Sequence, residues 1–128
     1  MNNTSYKRAT MALGILCALL LVFGGYCTIK FVLQVTHIAF AEEQVQIFEA
    51  MRLRAMDVPT SEAASFLNYV VTYYPSGTKQ EAGSKLDHIV EQARASAIRD
   101  IVAVLRNKTG EDLGDDPQRW IHKFNAKQ

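Results

Sequence analysis

At 128 residues, the chain has room for one small domain beyond an apolar N-terminal segment, which excludes two folded domains. The net charge of +1 conceals an asymmetry: Lys7, Arg8 and Lys30 face no acid before residue 31, whereas the remainder carries 11 basic against 13 acidic residues. That slightly acidic remainder alternates Lys and Arg with Glu and Asp and presents no clustered basic face, which excludes nucleic acid as a partner.

Residues 1–10 read as an N-terminal tail and residues 11–29 as a transmembrane helix. The run MALGILCALLLVFGGYCTI holds no charged residue, and its 19 residues approach the roughly 20 that a helix needs to cross the hydrocarbon core. Inside lipid every backbone group must be satisfied within the segment, so a helix is required despite Gly14, Gly24 and Gly25. Two processing alternatives fit less well. A cleavable signal peptide would use Lys7 and Arg8 as its basic region and Ala39-Phe40-Ala41 as its cleavage site, but the apolar core exceeds the usual length of about 7–15 residues and Lys30 intervenes. A lipoprotein would use Cys27, but Tyr26 precedes it where a small residue is expected.

Lys7 and Arg8 before the helix, against Lys30 alone just after it, place the N-terminus in the cytoplasm and the C-terminal domain outside or in the periplasm. Small residues four apart, Gly14 with Ala18 and Gly24 with Thr28, fit either a helix-dimer face or the ordinary composition of membrane helices. Both cysteines, Cys17 and Cys27, lie in the apolar segment. The outer domain therefore has no disulfide framework or thiolate metal site and must hold together by packing.

Nothing breaks the chain between Lys30 and Met56, so residues 30–56 read as a stalk helix continuing the membrane helix. Phe31, Ile38, Val45 and Arg52 recur every seven residues, and Gln34, Ala41, Phe48 and Ala55 follow three behind. This a/d seam suits a twin or, better, the protein's own later helices. Residues 57–128 form the small helical domain. Pro59 ends the stalk, and Thr60 or Ser61 caps a second helix whose face of Ala63, Ala64, Phe66, Leu67, Val70, Val71 and Tyr74 must be covered. Pro75-Ser76-Gly77 stops that helix.

A third helix starts at either Thr78 or Ser84, each a capping-box pattern, and keeps its apolar spacing from Leu86 to Leu105. Gly110 then fits a C′ position, Gly114 a turn, and Asp116-Pro117 an N-cap followed by an N1 proline. A short last helix follows, carrying Trp120, Ile121 and Phe124. No run alternates with period two, so the fold class is all-α: a transmembrane helix continuing into a stalk, then a small helical hairpin or bundle with a short C-terminal helix.

The stretch LRNKTGEDLGDDPQRWI, residues 105–121, resembles the closing motif of small uncharacterised bacterial proteins and of HEAT-like helical-hairpin proteins. The match rests on Thr109, Gly110, Gly114, Asp116, Pro117 and Trp120. The resemblance implies a helical hairpin closed by the turn and the tryptophan, and a bacterial source. It transfers no activity, and one hairpin is too few repeats for a solenoid.

Little in the sequence points to chemistry. His37, His88 and His122 lie in different segments. His88 and Glu91 share a helix face at i, i+3, a spacing suited to a bundle metal site, but comparable ligands on other helices are not visible and a solvated face is the simpler reading. Glu111, Asp112, Asp115 and Asp116 would suit a hard cation but lack the alternating order of an EF-hand loop. The serines at 61, 65, 76, 84 and 96 have no neighbouring base, and no G-x-S-x-G, H-E-x-x-H or phosphate loop occurs. Tyr69 and Tyr73 are the expected exposed aromatics, with Tyr74 and Trp120 assigned to the core. No catalytic, cofactor-binding or metal-ligating residue is assigned. The expectation is a membrane-anchored interaction protein, scaffold or accessory in kind, that contacts the lipid bilayer and a protein partner or a second copy. The alternative is a tethered sensor or ligand-binding domain with a tyrosine-lined pocket. An enzyme using His88 with Glu91 or the late aspartates ranks third.

Overall fold

The computed structural model describes residues 3–125, with helices α1 (Asn3–Asp57), α2 (Thr60–Thr72), α3 (Lys85–Thr109) and α4 (Pro117–Asn125), and no strand among them. The fold is all-α, a long apolar N-terminal helix followed by a small helical bundle. The expected tail 1–10 and outer domain 57–128 each reach past the described residues, at 1–2 and 126–128. Residues 3–10 are helical and lead directly into the apolar stretch. Two units divide the chain, Met1–Thr36 and His37–Gln128.

In the first unit every described side chain is exposed, including Leu13, Ile15, Leu19, Leu20, Leu21, Val22, Phe23 and Ile29. A helix that is apolar all round and uncovered is long and apolar enough to cross a membrane. Its polar side chains are handled locally. Thr28 Oγ1 donates to the Gly24 carbonyl at 2.8 Å and Thr36 Oγ1 to the Val32 carbonyl at 2.9 Å, so neither hydroxyl goes unsatisfied in an apolar surround. Lys30 Nζ lies 5.8 Å from the Tyr26 ring centroid. A Cβ added at Gly14 or Gly24 would meet open space, so nothing within the chain occupies those faces.

In the second unit the later part of α1 is a core helix. Ala41, Gln44, Phe48 and Ala55 are buried, and Val45, Ile47 and Met51 pack beside them. The expected row of Ala41, Phe48 and Ala55 is present. Its companion row is present in part: Val45 packs against the core as Met51 does, while Ile38 is 47% exposed and the buried residue beside the row is Gln44. The reason is a polar pair. Gln44 Oε1 accepts from Gln80 Nε2 at 2.8 Å, so a glutamine is buried where apolarity alone would have selected a neighbour.

α2 buries Ala63, Ala64, Leu67 and Val70 and packs on α3 and α4. Its start and end both differ from expectation. Pro59 holds the N-cap position without a side-chain cap bond, and the first turn closes through the Ala63 amide donating to the Pro59 carbonyl at 2.9 Å. At the other end the helix stops at Thr72, Tyr73 turns extended, and Tyr74 takes a left-handed φ of 38°. That conformation costs a non-glycine residue roughly 1–2 kcal/mol, so neighbouring contacts must hold it.

Of the two proposed starts for α3 the chain uses the second, with Ser84 Oγ accepting from the Asp87 amide at 3.1 Å. The helix ends at Gly110, whose φ of 71° is the left-handed conformation that glycine adopts without penalty. Asp116 Oδ1 accepts from the Gln118 amide at 3.0 Å, opening α4 behind Pro117. Trp120 is fully buried and its indole N–H donates to the Gly114 carbonyl at 2.8 Å. The residues of the TGEDLGDDPQRW stretch thus close on one another: the turn glycine supplies the acceptor for the tryptophan that α4 presents.

Candidate functional site

The residues with the most chemistry in their side chains are engaged in holding the bundle together. Arg94 is buried on α3, and its guanidinium donates to the carbonyls of Val70 at 3.0 Å, Val71 at 3.4 Å and Tyr74 at 2.5 Å. These lie in and just after the last turn of α2, where carbonyls lack helical partners and a cation opposes the dipole. The guanidinium also stacks 4.9 Å from the Phe48 ring centroid, and its Nε lies 3.2 Å from Glu91 Oε1 without a hydrogen bond.

Asp87 is the second hub. Its carboxylate accepts from Ser76 Oγ at 2.6 Å, from the Gly83 amide at 2.9 Å and from the Gly77 amide at 3.3 Å. The Ser76 hydroxyl foremost, then the Gly83 amide, hold this carboxyl below the usual carboxylate range, against the opposing effect of burial. The Ser84 amide, which a full capping box would give to Asp87, donates to the Glu81 carbonyl at 3.0 Å, and Asp87 ties down the loop between α2 and α3 instead.

The His88–Glu91 pairing does not form. His88 is exposed, with Nε2 3.2 Å from Gln92 Nε2, while Glu91 turns to Arg94. Among the described residues no three His, Cys, Asp or Glu side chains gather as a metal site.

The late acids each have another partner. Glu111 pairs with Lys123, Asp112 and Asp115 both pair with Arg106 at 3.1 Å, and Asp116 caps α4. The Gly114 amide first, then Arg106, lower the Asp112 carboxyl from its ordinary range. Ser65, Ser76 and Ser84 are likewise spent in bonds to Asn125, Asp87 and the Asp87 amide.

The tyrosine assignment is corrected in part. Tyr69 is 40% exposed, as expected, but Tyr73 packs against the core while Tyr74 is 39% exposed. The left-handed turn at Tyr74 swings its ring outward, a reversal that helical periodicity cannot register. Tyr69 stacks on Tyr73 at 4.9 Å, and Tyr73 meets both Tyr74 and Phe48 edge-on at 4.6 and 6.3 Å. Burial above all raises the Tyr73 phenol from its ordinary value. Lys79 Nζ sits between two rings, 4.3 Å from Tyr74 and 4.4 Å from Phe40.

A groove of about 220 Å³ runs beside Val45, Phe48, Glu49, Arg52, Ala93, Ser96 and Ala97. It falls below the roughly 300–1,000 Å³ typical of small-molecule sites, whereas two open hollows of about 430 Å³, one beside Leu113, Gln118, Arg119, His122 and Lys123 and one beside Gly83, Ser84, Lys85, His88 and Ile89, fall within it; none of the three is lined by a tyrosine. At the groove's side Arg52 pairs with Asp100 at 3.0 Å and with Glu49 at 2.5 Å. Compared with protein-family models, curated proteins and solved structures, the chain matches none.

Proposed function

We propose that this chain is a single-pass membrane protein whose helical bundle serves as an interaction module, scaffold or accessory in kind, for another envelope protein or a second copy of itself. One observation carries the reading. The same helix α1 that is uncovered and apolar through its first unit supplies the core residues Ala41, Gln44, Phe48 and Ala55 of the bundle, so one helix belongs to both. A domain built onto its anchor in this way stays at the membrane, where its exposed surface meets a restricted set of neighbours. The buried polar groups Arg94, Asp87, Gln44 and Gln80 are all engaged within the fold, leaving recognition to the surface.

The positive-inside bias of Lys7 and Arg8 sets the N-terminus in the cytoplasm and the bundle on the outer or periplasmic side. Chemical cross-linking of the full chain in native membranes, followed by detergent purification, tests the interaction. The expected result is a discrete cross-linked species with a stoichiometric partner or a second copy. A strictly monomeric chain with no cross-linked species at any reagent concentration would overturn it.

A further inference from the structure

Along α1, exposed apolar side chains do not stop at Ile29. Phe31, Val32, Leu33, Val35 and Ile38 are between 47% and 68% exposed, past the single charge of Lys30. From Met11 to Ile38 the helix has 28 residues, a length of about 42 Å at the helical rise of ~1.5 Å. This exceeds the roughly 30 Å hydrocarbon core and matches the roughly 40–45 Å of a bilayer with its headgroup layers.

Phe40 stands two residues beyond Ile38. There the bundle carries Lys79 between the Phe40 and Tyr74 rings, with Tyr69 stacked on Tyr73 beside them. Tyrosine, an apolar ring with a polar tip, and lysine on an apolar stem are the residue types that settle at the membrane–water boundary. The cluster also explains an exposed, strained Tyr74, whose outward ring serves no core.

We propose that Phe40, Tyr69, Tyr74 and Lys79 form a lip of the bundle that rests in the headgroup layer of the bilayer. The inference depends on the membrane-anchored reading and adds a specific contact surface to it. The neighbouring Glu42 and Glu43 are exposed, so the lip has no net excess of positive charge, and the occupant is the interfacial layer itself rather than an anionic headgroup. Phosphatidylcholine vesicles therefore suffice as the probe.

The full chain carrying Cys17→Ser and Cys27→Ser receives an environment-sensitive fluorophore at Thr78→Cys, Leu53→Cys or Leu20→Cys, in vesicles containing headgroup- or acyl-chain-spin-labelled phosphatidylcholine. The Thr78 probe is expected to be quenched by the headgroup label well beyond the Leu53 probe, and to lose that quenching in Tyr74→Ser/Lys79→Ser. Tyr69→Ser, within regular helix, repeats the test away from the strained turn. Equal quenching at positions 78 and 53, or quenching at 78 unaffected by these variants, overturns the lip while an acyl-quenched Leu20 probe leaves the anchor standing. An unquenched Leu20 probe overturns the anchor and the lip together.

Discussion

Arg94 holds more of the bundle than any other single polar side chain. It satisfies three carbonyls at the end of α2, lies on the Phe48 ring of α1 and steadies the strained carbonyl of Tyr74. Truncation leaves those acceptors without a partner in a place water reaches poorly, so Arg94→Ala is expected to destabilise by about 3 kcal/mol in denaturant unfolding followed by circular dichroism. Arg94→Lys recovers little, because an ammonium cannot span the fork. Asp87 gives the corresponding dependence on acid. Its folded carboxyl titrates lower than the unfolded value near ~4, so its stabilising contribution is complete above that value and is lost as pH falls through the folded one. Thermal melts on an acid series should show Asp87→Asn less stable than the parent at neutral pH and the gap narrowing on acidification. A gap that is constant with pH contradicts the assignment. Asp87 was legible only as the acid of the Ser84 capping-box pattern, and Arg94 did not stand out in the sequence. Arg94 sits among evenly mixed charges on a helix, and its role depends on carbonyls 20 to 24 residues away.

At the scale of the elements, apolar spacing and punctuation went far. The order of helices, the αL glycine at Gly110, the Asp116-Pro117 start and the burial of Trp120 were legible because each follows from local backbone chemistry. The seam of α1 was half legible. Ala41, Phe48 and Ala55 lie in the row that a seven-residue repeat selects, but Gln44 replaces a more apolar neighbour, since its partner Gln80 lies in a loop whose position no periodicity encodes. The cycle of Gln44→Leu and Gln80→Leu tests that pair. Each single change strands one buried amide and should cost about 1–3 kcal/mol, whereas the double change should cost less than the sum. Strict additivity in unfolding measurements would show that the bond contributes nothing to the seam. The α2 terminus was illegible for a different reason. Tyr74 takes a left-handed φ with its carbonyl held by Arg94, a contact 20 residues away of which a tyrosine in sequence carries no sign.

For the whole molecule, composition foretold the division between an apolar helix and a slightly acidic bundle, and the structure adds that α1 takes part in both. Ala41, Phe48 and Ala55 of α1 share one buried cluster with nine side chains of α2, α3 and α4, so removing α1 to obtain a soluble fragment would expose the face it covers. The functional reading follows from that continuity. The central claim is that the apolar segment crosses the bilayer with the bundle on the outer side. Labelling of intact cells with a membrane-impermeant maleimide measures it most directly, using single cysteines at Tyr6 or Glu62 in the Cys17→Ser, Cys27→Ser chain. Glu62→Cys should react in intact cells and Tyr6→Cys only after permeabilisation. Equal labelling at both positions before permeabilisation, or recovery of the chain in the soluble fraction, would contradict it.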